Sequence, residues 1–302
     1  MTRFDVIGVG ANSLDQVYVL PRYPSPDGQS KLPILSHRLS PGGQVATTLS
    51  TCAAMGLRTA YVGTTGNDEA GRLIRAALDE RGVNLRYVVT RVGANPFAVI
   101  LLDERHGERI VLWRREAELA LTPADVPSDV IRDARLVHVD DVDEATAIHA
   151  ASIARAAGIP VTSDIEKVTT RTTELVEAVS IPIFAQGVPE ALTGEVDQER
   201  ALRALRRPHH ALLVMTLGGE GSVLLDGNRV HRAPAFPVTV ADTTGAGDVF
   251  RGALIVGLLR GDAPEAILRF ANAAAALSCT RLGAIGGVPG LEEADQLASG
   301  PR

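Results

Sequence analysis

Short apolar runs and longer stripes of helical period alternate through most of the chain. Phe4–Val9, Thr59–Gly63, Arg135–Val139, Pro160–Ser163, Ile181–Phe184 and Leu212–Thr216 read as buried strands. Between them, apolar positions recur three and four apart. A helix runs from Gln44 to about Met55 and closes at Gly56. Leu73, Ile74, Ala77 and Leu78 form the stripe of a second, capped by Asn67 or Asp68 and ended by Gly82. Glu144–Ala157, Glu195–Arg207, Val249–Leu259 and Pro264–Arg281 read as further helices. Repeated βαβ units predict a parallel sheet with helices on both faces. Two stretches break the pattern. Pro21, Pro24, Pro26, Pro33 and Gly28 divide Val17–Leu39 into short extended pieces. Pro96–Asp103 and Arg109–Trp113 alternate around a turn containing Gly107, and read as a hairpin. A second hairpin joins Ser222–Leu225 to Arg229–Arg232 through Asp226-Gly227-Asn228.

Composition narrows the picture. The chain has 302 residues, 45% of them hydrophobic, enough to bury a large α/β core. A net charge of −6 argues against a nucleic-acid footprint. The apolar run Ala271–Leu277 is far too short to span a bilayer. Met1-Thr2-Arg3 leads directly into the first strand, so no signal peptide is expected. Cys52 and Cys279 each lie in an Ala-rich apolar stretch and read as small buried hydrophobes in a reducing cytoplasm.

The chemistry concentrates at Ala241–Gly261. Gly245-Ala246-Gly247 should lie at a helix N-terminus, where free N–H groups and the dipole make an anion site that side chains do not block. Asp248 at its rim is placed to take a proton from an attacking hydroxyl, or else simply to serve the first helical turn. Asn12 and Asp15 follow the end of the first strand, on the edge where open α/β sheets bind ligands; an Asx turn would account for Asn12 as well. Asp140, Asp141 and Asp164 fall on the same edge, Asp141 reading first as a cap. Gly8-Val9-Gly10 is followed by Ala11-Asn12-Ser13, which lacks the third glycine of a dinucleotide-binding fingerprint and argues against a nicotinamide-dependent oxidoreductase.

Asp242-Thr243-Thr244-Gly245-Ala246-Gly247-Asp248, followed after three residues by Gly252-Ala253-Leu254-Ile255, resembles the C-terminal signature of the ribokinase-like (PfkB) carbohydrate kinases. The resemblance implies an α/β fold, a three-layer doubly wound and mostly parallel sheet with a small β lid. Residues 1–12, 41–88 and 118–302 would form the core, and 13–40 and 89–117 the lid. It also implies an ATP-dependent sugar kinase that phosphorylates a hydroxymethyl group. Asp248 would be the base, and Gly245, Ala246 and Gly247 the anion hole. The alternatives are a nucleoside kinase of the same fold and a non-catalytic sugar or nucleotide sensor.

Other roles follow from the same resemblance. Gly42, Gly43 and Gln44 match the family's N-terminal glycine pair and, with Asn12, Asp15 and Asp242, are assigned to the acceptor. Thr47 stands where many members have Asn, and one hydroxyl replaces an amide's donor and acceptor; the resulting Gly-Gly-x-x-Ala-Thr is similar to the sulfofructose-kinase branch. Lys31 in the lid would face an anionic acceptor or only solvent, as would Arg114 and Arg115. Thr216, Gly218, Gly219 and Gly221 match the nucleotide loop, and Asn272 and Ala276 the adenine pocket. Glu190 fits the family's Asn-x-x-Glu magnesium region, but Gly187 replaces its Asn. The resemblance therefore implies ATP and Mg²⁺, with room for a monovalent cation and for a homodimer formed through the lid, and no nucleic-acid or membrane partner.

Overall fold

A computed structural model describes residues 4–24, 31–105 and 109–300. Pro26, Gly28, Gly107 and Met1–Arg3, which figure in the sequence reading, lie outside these residues. The chain opens with β1 (Val6–Val9), β2 (Ser13–Leu20), β3 (Ser36–Gly42), α1 (Gln44–Ala54), β4 (Thr59–Gly66), α2 (Glu69–Glu80), β5 (Asn84–Arg91), β6 (Phe97–Asp103) and β7 (Arg109–Arg114). It continues through α3 (Ser128–Ile131), β8 (Leu136–Asp140), α4 (Glu144–Ala156), β9 (Val161–Asp164), α5 (Thr172–Ala178), β10 (Ile183–Phe184), α6 (Val188–Thr193) and α7 (Gln198–Leu205). It closes with β11 (Leu212–Thr216), β12 (Ser222–Asp226), β13 (Arg229–Ala233), α8 (Ala246–Arg260), α9 (Pro264–Cys279) and α10 (Leu291–Ser299).

Strands β5-β4-β1-β8-β9 form a parallel sheet. Parallel bridges Thr162↔Ile181 and Ile165↔Phe184 continue it towards β10-β11-β12-β13, whose last two pairings are antiparallel. β1 and β8 are buried along their whole length, as expected of central strands covered on both faces. On one face the core gathers Ala147, Ala150 and Ala154 of α4 with Leu175 and Leu202. On the other, α1 and α2 pack through Val45, Leu49, Ile74 and Leu78, while α8, α9 and α10 pack through Val249, Leu254, Leu268 and Ala294.

The remaining sheet, β3-β2-β6-β7, stands apart as a lid. Its borders differ from the sequence expectation in two places. Residues 89–91 belong to β5, paired with β4 through Arg91↔Gly66, and so lie in the core sheet. Conversely, Pro41 and Gly42 pair with Leu14 and Ser13 and extend β3 into the glycine pair.

One contact fixes the site. α1 and α8 cross where Gly252 meets Thr48 and Thr51; a Cβ there would lie 2.5 Å from Thr51 Cβ. The missing side chain lets the helices approach, and the Thr48 hydroxyl donates to the Asp248 carbonyl at 3.2 Å.

Candidate active site

The signature loop enters α8 through Gly245, the N-cap, at φ +77°. A Cβ on Gly245 would lie 2.7 Å from Ala284 Cβ, so glycine serves both the left-handed backbone and the close approach. The Ala246 N–H donates to the Thr243 carbonyl at 3.3 Å, while the first-turn N–H groups of Gly247 and Asp248 have no acceptor one turn earlier in the helix. Asp248 is in that turn and buried.

Gly42, Asp15, Thr47, Gly245 and Ala284 converge beside it. A Cβ at Gly42 would stand 3.8 Å from both Asp15 Oδ2 and Thr47 Oγ1. The Thr47 hydroxyl is buried without a hydrogen-bond partner among the described residues, which leaves it available to a bound hydroxyl. Asp15 accepts from Ser13 Oγ at 3.2 Å. Gly43, at φ +101°, lies against the Asn12 backbone, and Gln44 begins α1.

Other assigned residues are committed to the protein itself. The Asn12 amide donates to Tyr61 Oη at 2.9 Å and to the Thr64 carbonyl at 2.6 Å, and its oxygen accepts from Asn95 Nδ2 at 3.0 Å. It braces the strand end. Asp242 accepts from Thr244 N and Gly283 N, both at 2.9 Å, and pairs with Arg38 of β3 at 2.8 Å. Burial pushes the Asp242 carboxyl up, but these donors outweigh it and hold it below the usual range. Arg38 is thus the lid cation that reaches the signature loop. Lys31 is exposed. Arg114 is exposed and paired with Glu116, while Arg115 is largely buried against Asp143 at the start of α4; neither reads as an anion ligand.

Thr216, Gly218, Gly219, Gly221, Asn272 and Ala276 line one cavity of about 390 Å³, which also reaches Ala246 and Gly247. The residues assigned to the nucleotide loop and those assigned to the anion hole therefore share one space. Asn272 spends its amide donor on the Ala233 and Pro234 carbonyls, at 2.9 and 3.1 Å, and so holds up the wall after β13. Phe236, Val238, Val240 and Phe250 complete the apolar lining. They lie on an irregular stretch and inside α8, where no periodic signal marks a cavity. Cys279, expected to be buried, is only partly so, and at the end of α9 it lines the same cavity.

Beneath Asp248 lies a cluster that sequence reading did not assemble. Asp164, Glu166 and Asp248 each present a carboxylate oxygen within 4.8 Å of the others. Arg251 sits among them, 2.5 Å from Asp164, 3.5 Å from Glu166 and 3.7 Å from Asp248. Burial raises the Asp248 carboxyl well above its ordinary range; Arg251 opposes the shift, while Glu166 and Asp140 add to it. Burial likewise raises Asp164 against the pull of Arg251. Asp140 accepts from Ala11 N at 2.6 Å and Val142 N at 3.1 Å, yet burial and Asp141 bring it up to about 7. Asp141 braces the loop after β9 by accepting from the Glu166 and Lys167 backbone.

Glu190 lines a neighbouring cavity: Met215 of β11 lines it, and the next residue, Thr216, lines the cavity of about 390 Å³. Glu190 is exposed on α6 and shares this neighbouring cavity, of about 310 Å³, with Gln186, Glu195 and Met215. Gly187 there takes the left-handed N-cap position, at φ +86°, which explains a glycine at that place without reference to a metal.

Residues 20–290 match the pfkB family carbohydrate kinases. The chain is 29% identical over 288 residues to fructokinase-2 of Solanum habrochaites, covering 86% of this chain and 88% of that protein. It is 28% identical over 296 residues to ribokinase of Bacillus subtilis, covering 96% and 98%. The solved structure of Arabidopsis thaliana ribokinase complexed with ribose and ATP superposes with a TM-score of 0.85 at 25% identity, covering 99% of this chain and 100% of that one.

Proposed function

The chain belongs to the pfkB family of carbohydrate kinases and is an ATP-dependent sugar kinase, and we propose that it phosphorylates a hydroxymethyl group with Asp248 as the base. The observation that carries this reading is the position of Asp248, between the acceptor residues Asp15, Gly42 and Thr47 and the cavity that reaches Ala246 and Gly247. ATP occupies that cavity with its phosphates towards Gly245–Gly247. The acceptor hydroxyl, oriented by Asp15 and Thr47, attacks the γ-phosphorus. The new O–P bond forms as the bond to the β-phosphate oxygen breaks, ADP leaves, and the hydroxyl proton passes to Asp248. First-turn N–H groups of α8 hold the charge that develops on the transferring group. The lid excludes water from the acceptor side.

Gln186 and Glu190, exposed oxygen donors on one cavity wall, fit a magnesium ion held through its waters. Magnesium held there would supply charge neutralisation on the phosphates. We further propose a cytoplasmic setting, which suits the free thiols Cys52 and Cys279, and a homodimer formed through the lid.

Asp248→Asn tests the base. It keeps the shape of the side chain but cannot accept the proton, so kcat on the best substrate of a sugar panel should fall by roughly 10²–10⁴-fold. ATP affinity and melting temperature should barely change. In the wild type, kcat/KM should rise with pH through a midpoint well above the ordinary carboxylate range, because burial holds the proton on Asp248 and the base works only without it. A variant keeping more than half of wild-type turnover would remove Asp248 from the mechanism.

A further inference from the structure

Arg251 lies one turn after Asp248 on α8 and is 1% exposed. Its neighbours along the helix, Val249, Phe250, Gly252 and Ala253, are apolar or small, and an aliphatic side chain would fill the same space. Instead a guanidinium is buried there, and taking such an ion out of water costs several kcal/mol. Nη2 is 2.5 Å from Asp164 Oδ1, and Asp164 is itself fully buried at the end of β9. Nη1 is 3.7 Å from Asp248 Oδ1. A Cβ on Gly247 would lie 2.6 Å from Nη1, so the guanidinium runs directly beneath the glycine step of the signature loop. Arg251 Nε and Nη1 are buried with no hydrogen-bond partner among the described residues. The group is therefore only partly satisfied by its protein contacts, which a purely structural ion pair would not require.

We infer that Arg251, locked from below by Asp164, is the positioning residue of Asp248, fixing that carboxylate at the mouth of the anion hole and favouring its ionised form. The inference rests on Asp248 being the base. At 3.7 Å the two groups interact through charge rather than a hydrogen bond, and the interaction is strong because water is excluded. Of the other groups facing Asp248, Glu166 in the loop after β9 and Asp140 at the end of β8 push the opposite way, whereas Asp164 at the end of β9 acts with Arg251 by hydrogen bonding to the Asp248 side chain. Asp141, beside Asp140, bears on Asp164 instead. His138 on β8 is fully buried, donates to or accepts from Thr162 Oγ1 at 3.0 Å, and is held neutral, its pKa pushed down to about 3 by burial and then by Arg251. Lys167 reaches Asp141 only at 4.0 Å and is largely exposed. Arg251 is thus the buried cation set against a group of carboxyls, and Gly247 leaves the room that brings it under the base.

Three variants test this: Arg251→Met, Arg251→Lys, and Arg251→Met combined with Asp164→Asn. Each is assayed for kcat, KM for ATP, the pH profile of kcat/KM, and melting temperature. Arg251→Met should displace the acid limb to higher pH by about one unit or more, the effect of removing an opposite charge at this range. Turnover at pH 7 should fall by roughly tenfold or more, with KM for ATP little changed. Arg251→Met alone strands the Asp164 charge and lowers stability. The double variant removes that charge too, so its melting temperature should recover while its acid limb stays displaced. Arg251→Lys keeps the charge and should hold the limb near the wild-type position. An unmoved acid limb in the folded double variant would overturn the inference, as would Arg251→Lys displacing the limb as far as the neutral variant does. Asp248→Asn separates the two readings: an active Asp248→Asn enzyme sinks the base itself, whereas an inactive one with unmoved limbs in the Arg251 variants sinks only the role of Arg251.

Discussion

Gly219 and Gly221 stand two residues apart on the cavity assigned to the nucleotide and should fail differently when replaced. A Cβ on Gly219 would meet nothing within 4 Å, so a side chain there enters open space. Gly219→Val should therefore fold normally and obstruct the nucleotide, raising KM for ATP by roughly tenfold, equivalent to about 1.4 kcal/mol of binding. Gly221 has φ +101°, and its Cβ would lie 2.1 Å from the Ala233 carbonyl oxygen. Gly221→Ala should instead lose stability by roughly 1–3 kcal/mol, because neither the backbone nor its neighbour can yield cheaply. Thermal melts and ATP titrations on the pair check this; a destabilised Gly219→Val with unchanged KM would reverse the assignment. The sequence marked both glycines for one role. Only the backbone angle and the facing carbonyl distinguish them, and neither is written in a local pattern.

Among the elements, Asp242 ties three together: β3 through Arg38, the loop into α8 through Thr244, and the turn at Gly283. Asp242→Ala would leave two backbone N–H groups without their acceptor, at a cost of roughly 1–3 kcal/mol each if water cannot reach them. The carboxyl titrates below its unfolded value of 3.8, so its contribution is fully present above about pH 4 and is lost as pH falls through the lower folded value. The stability gap between wild type and Asp242→Asn, followed by chemical denaturation, should therefore be widest near neutrality and narrow in acid. A gap independent of pH would mean that the carboxylate charge contributes nothing. Elements built by local pattern were legible: α8 with its glycine entry, the β12–β13 hairpin, and α2 with Asp68 accepting from Gly71 N. β5 was not, because its half-buried residues lack a clean alternation, nor were the short helices α5 and α6. The residues assigned to the acceptor separate into two groups in the structure. Asp15 and Thr47 converge with Gly42, whereas the Asn12 amide is taken by Tyr61, Thr64 and Asn95. The Arg251–Asp164 pair joins residues far apart in sequence, and nothing local announces it.

For the whole molecule, the lid poses the remaining question. Register places Val17, Ala98 and Ile100 on one of its faces, where all three are buried, and Asp15 shares that face. The other face carries Leu39, Ile110 and Leu112, which are 47%, 42% and 55% exposed. β7, which carries two of them, is also an edge strand with unpaired backbone groups on its outer side. Apolar side chains at an open edge favour burial, at about 25 cal/mol per Å² removed from water. A second copy of the lid is the occupant we propose, because it would present the same apolar rows and cover both edges at once. The wild type should then sediment as a dimer at micromolar concentration. Leu112→Glu, or Leu39→Glu, should sediment as a monomer, with melting of the isolated subunit little affected, since substitutions at exposed positions seldom change stability by more than about 0.5 kcal/mol. The monomer should also bind its acceptor more weakly than ATP binding is weakened, because Asp15 and Arg38 are carried by the strands that the partner would steady, whereas the nucleotide cavity is built from β11, α8 and α9. A wild type that remains monomeric at the highest attainable concentration, or a Leu112→Glu variant that still dimerises, would show that the exposed rows serve something other than self-association.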